Sequence, residues 1–162
     1  MPSKWAFDGS SRLWCGYGAL VLQVTDVRKR FGEITALDDV GLSVDSGQIV
    51  GFLGPNGAGK STTMRAIMGL IAIDGGSITW RGEPLTTATR RRFGYMPAER
   101  GMYPKMTVGA QIEYFARLTG LGARDAHAAA QRWMERVDIQ ARADDEVQAL
   151  SSGNQQRVQL AI

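Results

Sequence analysis

Nine consecutive residues carry the clearest chemistry in this chain: Gly54, Pro55, Asn56, Gly57, Ala58, Gly59, Lys60, Ser61 and Thr62 match the phosphate-loop pattern G-x-x-x-x-G-K-[ST]. Each residue type has a physical reason. Glycines lack a Cβ, so successive backbone N–H groups can turn inward and form a concave nest for anionic oxygens. A helix beginning at the loop adds the partial positive charge of its N-terminus. Lys60 reaches terminal phosphates as a point charge. Ser61 offers a hydroxyl oxygen to Mg²⁺, a hard cation that keeps most of its waters and takes few protein ligands. The alternative is a glycine-rich loop that matches by chance, and the flanking pattern argues against it.

A phosphate site of this kind needs a strand before the loop and a helix after it. Ile49, Val50, Gly51, Phe52 and Leu53 form an apolar run too short for a helix, which predicts a strand buried on both faces. After the loop, Met64, Ile67 and Met68 recur at helical spacing, and Gly69 marks the stop. Upstream, Val21 to Val24 and then Val40, Leu42 and Val44 at period two predict a half-exposed antiparallel layer. Ile78 and Trp80, followed by the Arg81-Gly82-Glu83-Pro84 turn, predict a small hairpin. Past Pro97 the pattern becomes helical. Val108, Ile112 and Phe115 share one face, and Ala129 or Ala130, Trp133 and Val137 share another. Thr107 and Asp125 are the predicted N-caps, and Gly120 a C-terminal stop.

Composition adds bounds rather than an identity. The chain has 162 residues, 44% of them apolar, enough for one domain or part of one. A formal charge of +3 is mildly basic but scattered, so it names no partner. Cys15 is the single cysteine, which excludes an internal disulfide framework and fits a cytosolic setting. The stretch from Leu13 to Val24 is too short and too interrupted to span a membrane, and no small-residue cleavage site follows it. Residues 1–20 are read as a disordered N-terminal extension. Arg90, Arg91 and Arg92 are read as a solvated helix face, and His127 sits among alanines in the helical part.

The run Gly-Pro-Asn-Gly-Ala-Gly-Lys-Ser-Thr is also the form found in ATP-binding cassette (ABC) ATPases, and two further segments strengthen that resemblance. Leu150, Ser151, Ser152, Gly153, Asn154, Gln155, Gln156 and Arg157 resemble the family's Leu-Ser-Gly-Gly-Gln signature, departing from it at Ser152 and Asn154. Gly94, Tyr95, Met96, Pro97, Ala98, Glu99, Arg100, Gly101, Met102, Tyr103 and Pro104 resemble the family's Q-loop region, with Ala98 where a glutamine is usual. The Glu-Arg-Gly-Met-Tyr-Pro stretch looks most like bacterial exporter ATPases.

The resemblance covers residues 21–162 and implies an α/β fold, that of a P-loop NTPase of the ABC ATPase type. Its sheet would be mixed, with an antiparallel β layer and a helical subdomain. It divides the chain into a nucleotide-binding core with the β layer over 21–97, a helical subdomain over 98–149, and the signature with the start of a helix over 150–162. ATP and Mg²⁺ would be bound by Gly54, Asn56, Gly57, Ala58, Gly59, Lys60, Ser61 and Thr62, with Ser61 on the metal. Phe31, in Lys29-Arg30-Phe31-Gly32, would stack on adenine; the alternative of an ordinary core aromatic stays open. Ser151, Ser152, Gly153, Asn154 and Gln155 would complete the ATP site of a partner subunit. Glu99 is displaced by one residue from the glutamine position, so no catalytic residue is assigned.

The family's later elements are the strand ending in the metal-holding Asp, the adjacent Glu that polarises water, and the switch histidine. These have no counterpart in the chain, and the C-terminal part of the core is read as missing. A fragment that binds ATP without the hydrolytic residues is therefore expected. The resemblance implies the ATPase subunit of an exporter, peripheral at the inner face of the cell membrane. It would pair with a transmembrane permease and form a homo- or heterodimer with another ABC ATPase domain, with no nucleic acid involved. The competing readings are a soluble ABC ATPase of translation or DNA repair, and an inactive nucleotide-binding remnant.

Overall fold

The computed structural model describes residues 20–99 and 101–162. The extension expected over residues 1–20 lies outside these, apart from Leu20, with which the first strand opens. The chain divides after Phe93 into two compact units.

The first unit is built on a long hairpin of β1 (Leu20–Phe31) and β2 (Ile34–Asp45). Phe31 pairs with Ile34 across a two-residue turn, and Gly32 takes φ +57° there. Asp26 and Asp39 also have positive φ, 49° and 50°, and the pairing of the strands shifts beside each. A helix α1 (Lys60–Ile67) follows the phosphate loop. Next come β3 (Gly75–Trp80), the short β4 (Glu83–Pro84) and a single helical turn α2 (Thr87–Arg90). The sheet order is β2-β1-β3-β4, and every pairing is antiparallel. Val24, Val27, Leu37, Ile78 and Leu85 form the core together with Ala66 and Ile67 of α1. The predicted antiparallel layer, hairpin and helix are all present.

The strand expected over residues 49–53 is not. That run is irregular: Ile49 and Leu53 are almost fully exposed, and Val50 is half exposed. A strand buried on both faces needs neighbours to pair its N–H and C=O groups. Among the described residues none pairs with this run, so the parallel part of the expected mixed sheet is not formed. An apolar run records what a segment would bury, and the partner has to be present for the strand to exist.

The second unit is helical, with α3 (Val108–Leu118), α4 (Ala123–Arg136) and α5 (Ser152–Ala161), and short 3-10 turns at Gln140–Arg142 and Val147–Ala149 between α4 and α5. Its core gathers Val108, Ile112, Ala130, Met134, Ile139, Val147 and Val158. Thr107 caps α3 as expected, its hydroxyl accepting the Ala110 N–H at 3.4 Å, and Gly120 follows the helix with φ +99°. Two details differ from the sequence reading. The N-cap of α4 is Gly122, and Asp125 sits in the first turn, where a carboxylate still favours the helix dipole. The buried stripe of α4 runs through Ala126, Ala130 and Met134, so Trp133 lies on its shoulder, 43% exposed, with Arg136 over its ring at 5.6 Å.

No helix among the described residues is long and apolar enough to cross a membrane. Arg90 is not merely solvated: its Nε donates to the Ile67 carbonyl at 3.0 Å, while Arg91 and Arg92 are exposed. His127 is an exposed residue of α4 whose Nδ1 lies 3.1 Å from Glu113 Oε2 of α3.

Candidate functional site

The phosphate loop is shaped by its backbone. Gly57 and Gly59 have φ +84° and +82°, a region that residues with a Cβ enter only under strain. Gly59 is constrained a second way. A Cβ there would stand 2.6 Å from the Ala36 carbonyl oxygen and 2.8 Å from Leu37 Cδ2, so the loop lies directly against β2. Around Gly57 there is open space. Its requirement for glycine is conformational only.

Gly59 is also the N-cap of α1, and it supplies no side chain to that helix end. The first amides of a helix have no acceptor within the helix. Thr63 N–H reaches the Gly59 carbonyl at 2.8 Å, and the buried Thr63 hydroxyl donates to the same oxygen at 3.0 Å. The helix is thereby locked onto the loop, no side chain caps its N-terminus, and further back the Ala58 N–H donates to the Pro55 carbonyl at 3.2 Å. Lys60 folds over the loop, its Nζ donating to the carbonyls of Gly54 at 2.6 Å and Pro55 at 2.7 Å. An ammonium has three donors, so one remains for a further acceptor.

These features form a compact cationic lip that fits a polyphosphate. A magnesium ion fits the same place: Ser61 is exposed in the first turn of α1 and would give it a hydroxyl. Among the described residues no three His, Cys, Asp or Glu side chains gather to cage a metal.

Phe31 stands at the end of β1 as a half-exposed residue, 49% accessible, and not as a packed core aromatic. The same β2 strand that begins opposite Phe31 carries Ala36 against Gly59, so one hairpin positions both the aromatic residue and the loop. The sequence reading missed what anchors Phe31. Asp74 Oδ1 accepts from Lys29 Nζ at 2.8 Å, and Asp74 Oδ2 accepts from the Arg30 N–H at 2.8 Å. These bonds, led by that from Lys29, hold the Asp74 carboxyl below the usual carboxylate range.

The signature residues lie in the second unit. Ser151 is the N-cap of α5, its hydroxyl accepting the Asn154 N–H at a long 3.4 Å. Ser152 and Gly153 are exposed, and no atom lies within 4 Å of the position a Cβ on Gly153 would take. Gln155 turns inward: its Nε2 donates to the carbonyls of Val147 at 3.0 Å and Leu150 at 3.3 Å, fixing the turn that precedes the signature.

The Q-loop-like segment is irregular, with Ala98 and Glu99 exposed. Two contacts hold it that the sequence did not suggest. Gln159 of α5 donates to the Pro97 carbonyl at 2.8 Å, and the buried Gln111 accepts the Tyr103 N–H at 2.7 Å. Tyr103 also stacks edge-on with Tyr114, ring centroids 5.6 Å apart, and the hydrogen bond that the neutral Tyr114 hydroxyl donates to Tyr103 raises it above its ordinary range.

Known proteins resemble this chain in sequence and in fold. The ABC transporter family profile matches residues 37–162. An uncharacterized ABC transporter ATP-binding protein of Bacillus subtilis, YhaQ, is 44% identical over 139 residues, which are 86% of this chain and 47% of that protein. The Nod factor export ATP-binding protein I of Bradyrhizobium diazoefficiens is 37% identical over 145 residues, 88% of this chain and 47% of that protein. The chain thus spans about half the length of the curated relatives it matches. Among solved structures, cbiO1 from Clostridium perfringens, part of the ABC transporter complex cbiONQ, superposes with a TM-score of 0.74 at 20% identity. The alignment covers 88% of this chain and 60% of that one, and at this identity it speaks for the fold alone.

Proposed function

The chain belongs to the ABC transporter family, and from that premise we propose that it is the ATP-binding part of an exporter's ATPase subunit. The observation that carries this reading is the open N-terminus of α1: a glycine cap with no side-chain acceptor, and the Lys60 ammonium folded beside it. Backbone amides over residues 57–62 and the ammonium take the β- and γ-phosphates of ATP, and Phe31 stacks on the adenine. Magnesium, bound with the nucleotide and the Ser61 hydroxyl, would neutralise charge between the phosphate oxygens. Binding, and not bond cleavage, is the work assigned to these residues.

Paired with a second ABC ATPase domain, Ser151, Ser152, Gly153 and Asn154 face that domain's ATP, while Gln155, expected there from the sequence, is turned inward onto the Val147 and Leu150 carbonyls. An α5 N-terminus with an exposed Gly153 supports this, since anions are favoured at helix N-termini. A transmembrane permease docks on the helical unit and the loop from Ala98 to Tyr103, where the half-exposed Tyr103 and Tyr114 offer a contact surface. The subunit then works from the cytoplasmic face of the membrane. Export as the direction is supported by the 37% identity to a protein named for Nod factor export.

Titration calorimetry with ATP and magnesium tests the binding step. Saturable uptake at or below about millimolar ligand, weakened about ten- to a hundredfold in Lys60→Ala, is the expected result. Folded wild-type chain that takes up no ATP contradicts the proposal.

A further inference from the structure

What holds Phe31 in place supports an inference that rests on its reading as the adenine platform. Three consecutive residues before it are tied to one aspartate far along the chain. The Asp74 N–H donates to the Arg28 carbonyl at 2.9 Å, Asp74 Oδ1 accepts from Lys29 Nζ, and Asp74 Oδ2 accepts from the Arg30 N–H. The end of β1 is therefore gripped by both the backbone and the carboxylate of a residue that lies in the turn before β3.

The grip continues to the ring. Lys29 Nζ stands over Phe31 at 5.3 Å from the ring centroid, and the Lys29 side chain is only 14% exposed. A lysine is usually a flexible, strongly hydrated charge. Here the carboxylate fixes its head, so the cation–π contact has a fixed partner and the ring loses freedom about its side-chain torsions. Phe31 as a whole is about half exposed, so it is accessible to a flat, polarisable ligand.

We propose that Asp74 and Lys29 are positioning residues for the nucleotide base: the carboxylate holds the ammonium, and the ammonium sets the orientation in which Phe31 meets a purine. Neither residue touches the phosphates in this arrangement. Their loss acts on the base-dependent part of nucleotide affinity and leaves the polyphosphate part alone.

Calorimetry with ATP and with inorganic tripolyphosphate, both with magnesium, separates the two parts. Asp74→Asn keeps an acceptor for the Arg30 N–H but removes the charge, and Lys29→Met keeps the stem but removes the cation. Each is expected to weaken ATP about two- to fivefold while tripolyphosphate affinity stays as in the wild type, and Lys29→Arg, which retains a cation, restores ATP affinity. Phe31→Ala weakens ATP more, by about tenfold.

Unchanged ATP affinity in Asp74→Asn and Lys29→Met, with Phe31→Ala weakened, overturns the positioning role and leaves the platform standing. No effect of Phe31→Ala removes the platform and the positioning role together. Equal losses of ATP and tripolyphosphate in Asp74→Asn assign Asp74 to the fold of the loop instead, and also overturn the proposal.

Discussion

The helices that follow the phosphate loop and the signature motif begin differently. At α5 the Ser151 side chain caps the first turn, accepting from Asn154, so one of the orphan amides is satisfied within the chain. At α1 the cap is Gly59 in a left-handed conformation, no side chain reaches the amides, and a lysine lies alongside. Capping stabilises a helix at rest. Leaving the cap out gives up that stabilisation and keeps several N–H groups directed at whatever anion arrives. The contrast separates a helix start that is finished by its own sequence from one that is finished by a ligand.

The contrast breaks most severely at the charge. Lys60→Ala is expected to weaken ATP by about ten- to a hundredfold, the worth of a charge-assisted hydrogen bond, in the same calorimetric titration. The two glycines sharpen it next. Gly59→Ala meets both the strained φ and the Ala36 carbonyl, whereas Gly57→Ala meets the strain alone. The first should therefore cost about 1–3 kcal/mol of stability and the second about 1 kcal/mol, as read by denaturant melts. Gly57→Ala proving the worse of the pair would contradict the close approach of the loop to β2.

At α5 the expected effect is smaller. Ser151→Ala removes a cap whose bond is long, and should lower stability by about 0.5–1 kcal/mol in the same melts. Smallest is the pH dependence of the Asp74 tie. Its folded carboxyl is held low, so its stabilisation is fully present above the ordinary carboxylate pKa and is lost as pH falls through the lowered folded value. Melting curves of the wild type and Asp74→Asn should differ at neutral pH and converge on acidification; a constant gap would contradict the tie.

The local features of both sites were legible in the sequence. Glycine spacing, the lysine and the serine of the phosphate loop specify a nest on chemical grounds alone, and Thr107 and Ser151 stand where caps belong. What pattern reading missed depends on residues far apart. The Lys29–Asp74 pair spans 45 positions and the Gln159–Pro97 contact 62, and neither leaves a periodic trace. The run at 49–53 failed for a related reason: strand formation depends on a neighbour that the run itself does not encode. On α4 a shift of one residue moved the buried stripe from Trp133 to Met134, within the latitude of any helical face.

Backbone amide exchange or amide NMR shifts, measured with and without magnesium ATP at concentrations where the chain is monomeric, compare the two helix starts within one molecule. Ligand-dependent changes concentrated at residues 57–62, with those at 152–154 unaltered, are the predicted result. Changes of equal size at both ends, or none at 57–62 in a sample that is folded, would contradict the account.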